Sequence, residues 1–378
     1  MIRTLIFGAL GAWSAAAAAV PIDCPLARQP YSIHSPLLDL LLDPRAKVAL
    51  DRAAPDFTSG LTKNFGGGDL PHGFAAITTP EFYLKMRPDG AALAPKLDAA
   101  LARIPVTAAA MKARCARYDH IPPRLPPVIV HPAVLVFEKI NGFRDDASFN
   151  AAHAALTAIG KRRHWTMVFS ANGATFNRRD LARFDTVVWN NVSGDALTLG
   201  QRAAFKRWIE QGGGFAGFHG SGGDPDWFWP WYVDTLIGAR FIGHPREIQK
   251  ATVTVADPGR GITRGLPGTW AMTEEWYSFA DSPRRKGARI LATVDESTYS
   301  LVGYGNEDLR MGDHPIAWTK CIGNGRSFYS AIGHRPDNYS EPNSIRLLEQ
   351  GIAWSAGLGE SRCHAGREIA VVGARGRD

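Results

Sequence analysis

Cysteine is scarce in this chain, four residues in 378, and no two of them stand in a C-x-x-C pair. That absence excludes thiolate zinc modules and dithiol redox motifs, which need two thiols held close together. No two histidines fall at H-x-x-x-H spacing either, so the helical ligand pair of zinc peptidases is missing. Charged residues make up only 21% and are spread along the chain. A net charge of +7 without a concentrated basic stripe is no nucleic-acid footprint. After residue 19 no apolar run approaches the roughly 20 residues of a membrane span. What is present, 45% hydrophobic residues with 39 Gly and 25 Pro, is the composition of a globular protein and excludes collagen, coiled coil and disorder. The length predicts one main domain with an appendage, since single cores seldom grow past roughly 250–300 residues.

The N-terminus has the layout of an export signal. Met1-Ile2-Arg3 supplies a positive flank, Leu5 to Ala19 is apolar, and Ala15 to Ala19 offers small residues for cleavage. Pro21 and Asp23 end the run too early for an anchor. The expectation is a signal peptide over residues 1–20 and a secreted or periplasmic protein. An oxidising compartment lets cysteines pair. Of the three connectivities open to four cysteines, locality favours Cys24–Cys115 and Cys321–Cys363, with four free thiols as the alternative.

Residues 21–127 read as a helical region. Pro36 and Pro44 each follow a capping residue, and prolines recur at Pro80 and Pro88, a hint of a duplicated unit. Phe65-Gly66-Gly67-Gly68-Asp69 predicts a flexible loop, and Ile121 to Pro127 a stiff proline-rich linker. Over residues 128–360 strands and helices alternate. Apolar runs at Ala133–Phe137, Trp165–Phe169, Asp185–Trp189 and Gly214–Phe218 do not alternate with polar residues. Helical patterns at Asp145–Gly160 and Thr198–Gln211 separate them, as in a parallel sheet buried on both faces. The fold class is therefore α/β, a doubly wound, mainly parallel sheet in three layers with an N-terminal helical appendage. Further strands are expected at Ala251–Val255, Thr269–Phe279, Arg289–Val294 and in a hairpin turned at Gly323-Asn324-Gly325. A helix over Glu341–Ala356 closes the domain, and residues 361–378 read as a tail.

In such a sheet ligands bind beyond the carboxyl ends of the strands. That rule selects Glu138, Lys139 and Asn141 after the first strand, Ser170 and Asn172 after the second, Asn190 and Asn191 after the third, and His219 and Ser221 after the fourth. Gly217-Phe218-His219-Gly220-Ser221 has the glycine-flanked form of a nucleophile elbow, with His where Ser or Cys would stand. His244, His314 and His334 each lie in a loop beside Gly or Pro, and Glu274-Glu275 sits within a strand-like stretch. Imidazoles and carboxylates in such loops serve acid–base or metal chemistry, with His219, His244 and His334 the metal candidates. Trp227 opens an aromatic run to Tyr232 that suits either sugar stacking or core packing.

The same stretches resemble the ThuA-like family, named for trehalose utilisation. The resemblance is carried by Gly217-Phe218-His219-Gly220, by Tyr232 to Phe241 running into His244-Pro245, and by Glu274-Glu275-Trp276-Tyr277. His314-Pro315-Ile316-Ala317-Trp318, Gly323 to Tyr329 and Gly333-His334 complete it, from about Val134 to Gly357. It implies the class I glutamine amidotransferase-like fold and a role in handling sugars, among them oxidised (3-keto) disaccharides or glycosides. Those amidotransferases carry Cys at the elbow; His219 there disfavours glutamine hydrolysis through a thiolate. The leading expectation is an exported hydrolase or lyase with His219, His244, Glu275 and His334 catalytic. Asn172, Asn190, Ser221, Trp227 and His314 would then contact the sugar. A divalent metal is compatible with these residues and not required by them. A sugar-sized molecule is the expected partner, without nucleic acid or membrane insertion, and self-association stays open. The competing expectations are a non-catalytic carbohydrate-binding protein and an interaction scaffold.

Overall fold

The computed structural model describes residues 23–54, 73–226, 228–359 and 361–370. The leader expected at 1–20, the glycine loop at 65–69 and Trp227 lie outside the described residues.

The N-terminal region is helical, with helices at Leu37–Leu41 (α1), Pro44–Ala53 (α2), Gly73–Ile77 (α3), Pro80–Lys85 (α4), Gly90–Leu101 (α5) and Ala108–Cys115 (α6). Asp43 and Thr79 cap α2 and α4 through their side chains, each with Pro at the first helical position, as the sequence pattern required. The helices bury their own small core of Tyr31, Leu37, Leu40, Leu50, Leu84, Leu97 and Leu101. The Cys24–Cys115 disulfide ties its ends together. Asp23 then fastens it to the main domain, accepting from the Thr198 hydroxyl at 2.8 Å and the Gly200 amide at 2.9 Å. A carboxylate is well placed at that helix start, where amides lack partners.

From Ala133 the chain alternates as expected: β1 Ala133–Phe137, α7 Asp146–Arg163, β2 Thr166–Ser170, α8 Arg178–Leu181, β3 Thr186–Trp189, α9 Leu199–Glu210 and β4 Gly214–Phe218. There follow β5 Phe241–Gly243, β6 Gln249–Val255, β7 Thr269–Glu274, β8 Ser278–Phe279, β9 Arg289–Val294, β10 Pro315–Ile322, β11 Gly325–Ser330 and α10 Pro342–Ser355. Nine strands form one sheet in the order β2-β1-β3-β4-β11-β10-β9-β6-β7. Pairs from β2 to β11 are parallel, and those from β11 to β7 are antiparallel. Across these four antiparallel pairs β10 and β6 run opposite to β4 and β11, while β9 and β7 run the same way as them. Their carboxyl ends therefore share one edge of the sheet.

Two expectations need adjustment. The stretch Thr269–Phe279 is two strands, β7 in the large sheet and β8 paired with β5, and Glu275 lies in the break between them. The elbow after β4 leads into a 3-10 turn at His219–Gly222 and no helix. Gly222, Gly223 and Pro225 follow directly and do not sustain one. Beyond α10, residues 361–370 of the segment read as a tail form a hairpin, β12 Ser361–His364 and β13 Arg367–Ala370, pinned to β10 by the Cys321–Cys363 disulfide, while 371–378 lie outside the described residues. Among the described residues no helix is long and apolar enough to cross a membrane.

Candidate functional site

Four side chains chosen from the sequence meet at that shared edge. His219 directly follows β4, His244 follows β5, Glu275 follows β7, and His334 lies four residues past β11. His219 Nε2 and His334 Nδ1 stand 3.2 and 3.4 Å from Glu275 Oε2, while His244 Nε2 is 3.2 Å from Oε1. Each of the three imidazoles thus turns one nitrogen on the same carboxylate. The side chains of His219 and Glu275 are 5% and 13% exposed, whereas those of His244 and His334 are 22% and 21% exposed. The last two form the mouth.

Local structure explains why they point there. His219 has φ +34, a left-handed backbone rare for a residue with a side chain. Such a conformation costs on the order of 1–3 kcal/mol and persists only where neighbours enforce it. Here Tyr329 donates its hydroxyl to the His219 carbonyl at 2.8 Å, and the Tyr277 ring stacks on the imidazole at 4.1 Å. His219 Nδ1 lies 2.8 Å from the Ala331 carbonyl and donates to it, which leaves Nε2 for Glu275. Glu274, fully buried, holds the next loop: it accepts from the amides of Gly333 at 2.7 Å and His334 at 3.2 Å, and from the Asn338 amide group at 2.8 Å. Adjacent residues at a strand end face opposite ways, so Glu274 points inward while Glu275 faces the mouth. Gly333 sits at φ +143, and a Cβ there would lie 2.4 Å from the Tyr339 hydroxyl and 3.2 Å from His219 Cβ. Only glycine brings the two histidine loops this close.

Burial pushes the Glu275 carboxyl up, but the hydrogen bond from His219 and the charges of His219, His244 and His334 outweigh it and draw it down to about 2. For His219 burial works against the cation, yet the hydrogen bond and charge of Glu275 hold its pKa above the ordinary histidine value. A carboxylate with a pKa that low is a weak base. Such a carboxylate is suited to orienting the imidazoles rather than to taking up protons itself.

The other sequence-selected residues lie apart from this cluster. Asn172 caps the turn at Gly173 and donates to the Ile121 carbonyl. Asn190, fully buried, donates to Glu138 at 2.8 Å and to the Phe149 carbonyl. Ser221 donates to the Trp189 carbonyl and accepts from the Val192 amide. His314, its side chain without exposed surface, is held between Glu296 and the Tyr277 carbonyl, both at 2.9 Å. These four have their polar atoms engaged within the protein. The aromatic run after the elbow packs: Tyr232 is fully buried against Trp189, and Trp229 and Trp231 rest on Phe205. The exposed ring at the mouth is Tyr304, edge-on to His244 at 5.4 Å and 61% exposed. It sits alone in Gly303-Tyr304-Gly305, and nothing in that tripeptide marks it as a site residue. Its loop also lines a groove of about 620 Å³ through Tyr299, Val302, Asn306 and Arg310. By contrast, the void between Asp224, Arg202 and Trp229 has about 20 Å³, room for one water.

Comparison with known proteins bears on the fold and the family. No curated protein matches the chain. A ThuA-like protein of Bacteroides uniformis ATCC 8492 is 22% identical, with a TM-score of 0.50 over 62% of this chain and 95% of that one. A second, from Parabacteroides merdae ATCC 43184, is 17% identical with a TM-score of 0.44, over 59% of this chain and 89% of that one. The family model for ThuA, described as trehalose utilisation, matches residues 133–355, from the first residue of β1 to the last of α10. That span holds the whole sheet and all four converging residues, and the chain belongs to the ThuA family of trehalose utilisation proteins.

Proposed function

We propose that this ThuA-family chain is an exported enzyme acting on oxidised (3-keto) disaccharides or glycosides, by elimination or hydrolysis at the cluster around Glu275. The observation that carries this reading is the convergence of His219, His244 and His334 on one carboxylate, with two imidazoles reaching the mouth. A ketone acidifies the neighbouring C–H, so removing that proton needs a base near neutrality and a positive group facing the enolate oxygen. His244, partly exposed, is the proton carrier: Nδ1 donates to the Pro245 carbonyl, and Nε2, 3.2 Å from Glu275, is the nitrogen that takes up and returns the proton. In the elimination it takes the proton from the carbon beside the ketone; the carbon–oxygen bond to the leaving sugar then breaks, a carbon–carbon double bond forms, and the same imidazole returns the proton to the departing oxygen. His219, whose cation Glu275 favours, forms the positive side of the site, with His334 beside it. Tyr304 offers the apolar C–H face of a sugar ring an aromatic surface at the mouth.

Export is supported by the N-terminal pattern at 1–20 and by the two disulfides. In a Gram-negative host the chain should be shortened near residue 20 and recovered from the periplasm; full-length protein confined to the cytosol would contradict export. For the chemistry, purified protein is incubated with trehalose, other glucosides and their 3-keto derivatives, and products are resolved by NMR. Cleavage restricted to the keto sugars supports elimination beside a carbonyl. Saturable binding without product would instead make this a carbohydrate-binding protein.

A further inference from the structure

We propose that His219 Nε2, His334 Nδ1 and a Glu275 oxygen form a binding site for one divalent cation of the zinc class. These three donor atoms lie within 4.8 Å of one another.

The first reason is where the ring nitrogens point. His219 Nδ1 donates to the Ala331 carbonyl, so Nε2 is the nitrogen turned on Glu275 Oε2, 3.2 Å away in a buried place. The second reason is distance. Donor atoms around a tetrahedral ion, each about 2.0–2.1 Å from it, stand about 3.3–3.4 Å apart. His219 Nε2 and His334 Nδ1 lie 3.2 and 3.4 Å from Glu275 Oε2, at that spacing.

The third reason is how the ligands are supported. Metal-bound imidazoles commonly give their other nitrogen to a carbonyl or carboxylate, which fixes ring orientation. His219 does so to Ala331, and His334 Nε2 faces Asp145 at 3.9 Å. The remaining Glu275 oxygen is held by His244 at 3.2 Å, and Glu274 anchors the His334 backbone. Two histidines and one glutamate make a donor set that suits zinc and leaves a coordination position open. At that position a bound ion would polarise a ketone or hydroxyl oxygen. The use of the ion in catalysis rests on the function proposed above; its binding does not.

The test needs no sugar. Purified protein is stripped with dipicolinate, moved to chelator-free buffer and titrated calorimetrically with ZnCl₂, NiCl₂ and MnCl₂. The expected result is one equivalent of zinc, with manganese weaker. His334→Ala and His219→Ala should each weaken zinc binding by about 100-fold or more, and His244→Ala, which removes no ligand but frees the other Glu275 oxygen, by about 10-fold. Circular dichroism checks that each variant is folded; should His219→Ala fail, His334→Ala, nearer the surface, decides. Cobalt substitution adds a visible absorption band in the parent that is lost in His334→Ala. No binding by the stripped parent, or equal binding by folded His334→Ala, overturns the site. Zinc binding without sugar turnover would instead sink the functional reading and leave the site standing. Turnover unaffected by stripping would leave the function and remove the ion from its chemistry.

Discussion

The two halves of the large sheet are built differently, and the site lies where they meet. In the parallel half every residue of β1, β3 and β4 is buried, because layers cover both faces. In the antiparallel half β6 and β7 alternate between buried and exposed residues, as in a sheet with one solvated face. The parallel half, through β4 and β11, supplies the buried His219 and, at the mouth, His334. The antiparallel side supplies Glu275 from the break after β7 and His244 from the short β5 pairing. The difference teaches a division of labour. One half positions His219 and His334, and the other brings in the carboxylate they share and the second imidazole of the mouth, His244.

Substitutions can break that division in order of effect. Glu275→Gln leaves three imidazoles without their common charge, and kcat/KM on a turned-over keto sugar should fall by about 10³–10⁴ while the circular dichroism spectrum is kept. Retention of a tenth of parental activity would place the chemistry elsewhere. Next comes a paired test of the halves by denaturant unfolding. Phe218→Ala in β4 should cost about 3–5 kcal/mol, and Thr254→Ala on the exposed face of β6 under about 0.5 kcal/mol. Similar costs would mean the halves are not built as described. Gly333→Ala forces the Tyr339 hydroxyl and His219 apart, and should lower kcat about 100-fold by shifting His334. The parent rate in that variant would show that the close approach of the two loops is dispensable.

The last effect is on pH. Burial pushes Asp224 up to about 7, although Ser193 and the Gly194 amide donate to it. The folded state then holds one more proton than the unfolded state between about pH 4 and 7. Stability from this group is present below that window and falls as pH rises through it, by at most about 1.4 kcal/mol per pH unit. Asp224→Asn should flatten the curve of Tm against pH in that window; an unchanged curve would show that Asp224 titrates normally.

The parallel half was legible because continuous apolar runs such as Ala133–Phe137 admit few other readings, and Gly214–Phe218 was placed to the residue. Thr269–Phe279 read as one strand because its apolar pattern continues through Glu275, and the change of partner from β6 to β5 depends on contacts distant in sequence. All four converging residues were legible, each as a polar residue next to glycine, proline or a strand end. What the sequence hid was which polar residues are consumed inside the protein. Asn190 and Ser221 stand at strand ends as a ligand residue should, yet their partners, Glu138 and the Trp189 and Val192 backbone, meet them only in the fold. Glu274 was visible only as the neighbour of Glu275, since its role depends on a loop 60 residues away.

The most direct test is NMR of 3-keto-trehalose incubated with the parent and with His244→Gln, whose Tm is measured alongside. Conversion by the parent and a loss of at least about 100-fold in the variant, at unchanged Tm, is the outcome predicted for a proton-moving imidazole at the mouth. Equal conversion by both proteins would contradict it.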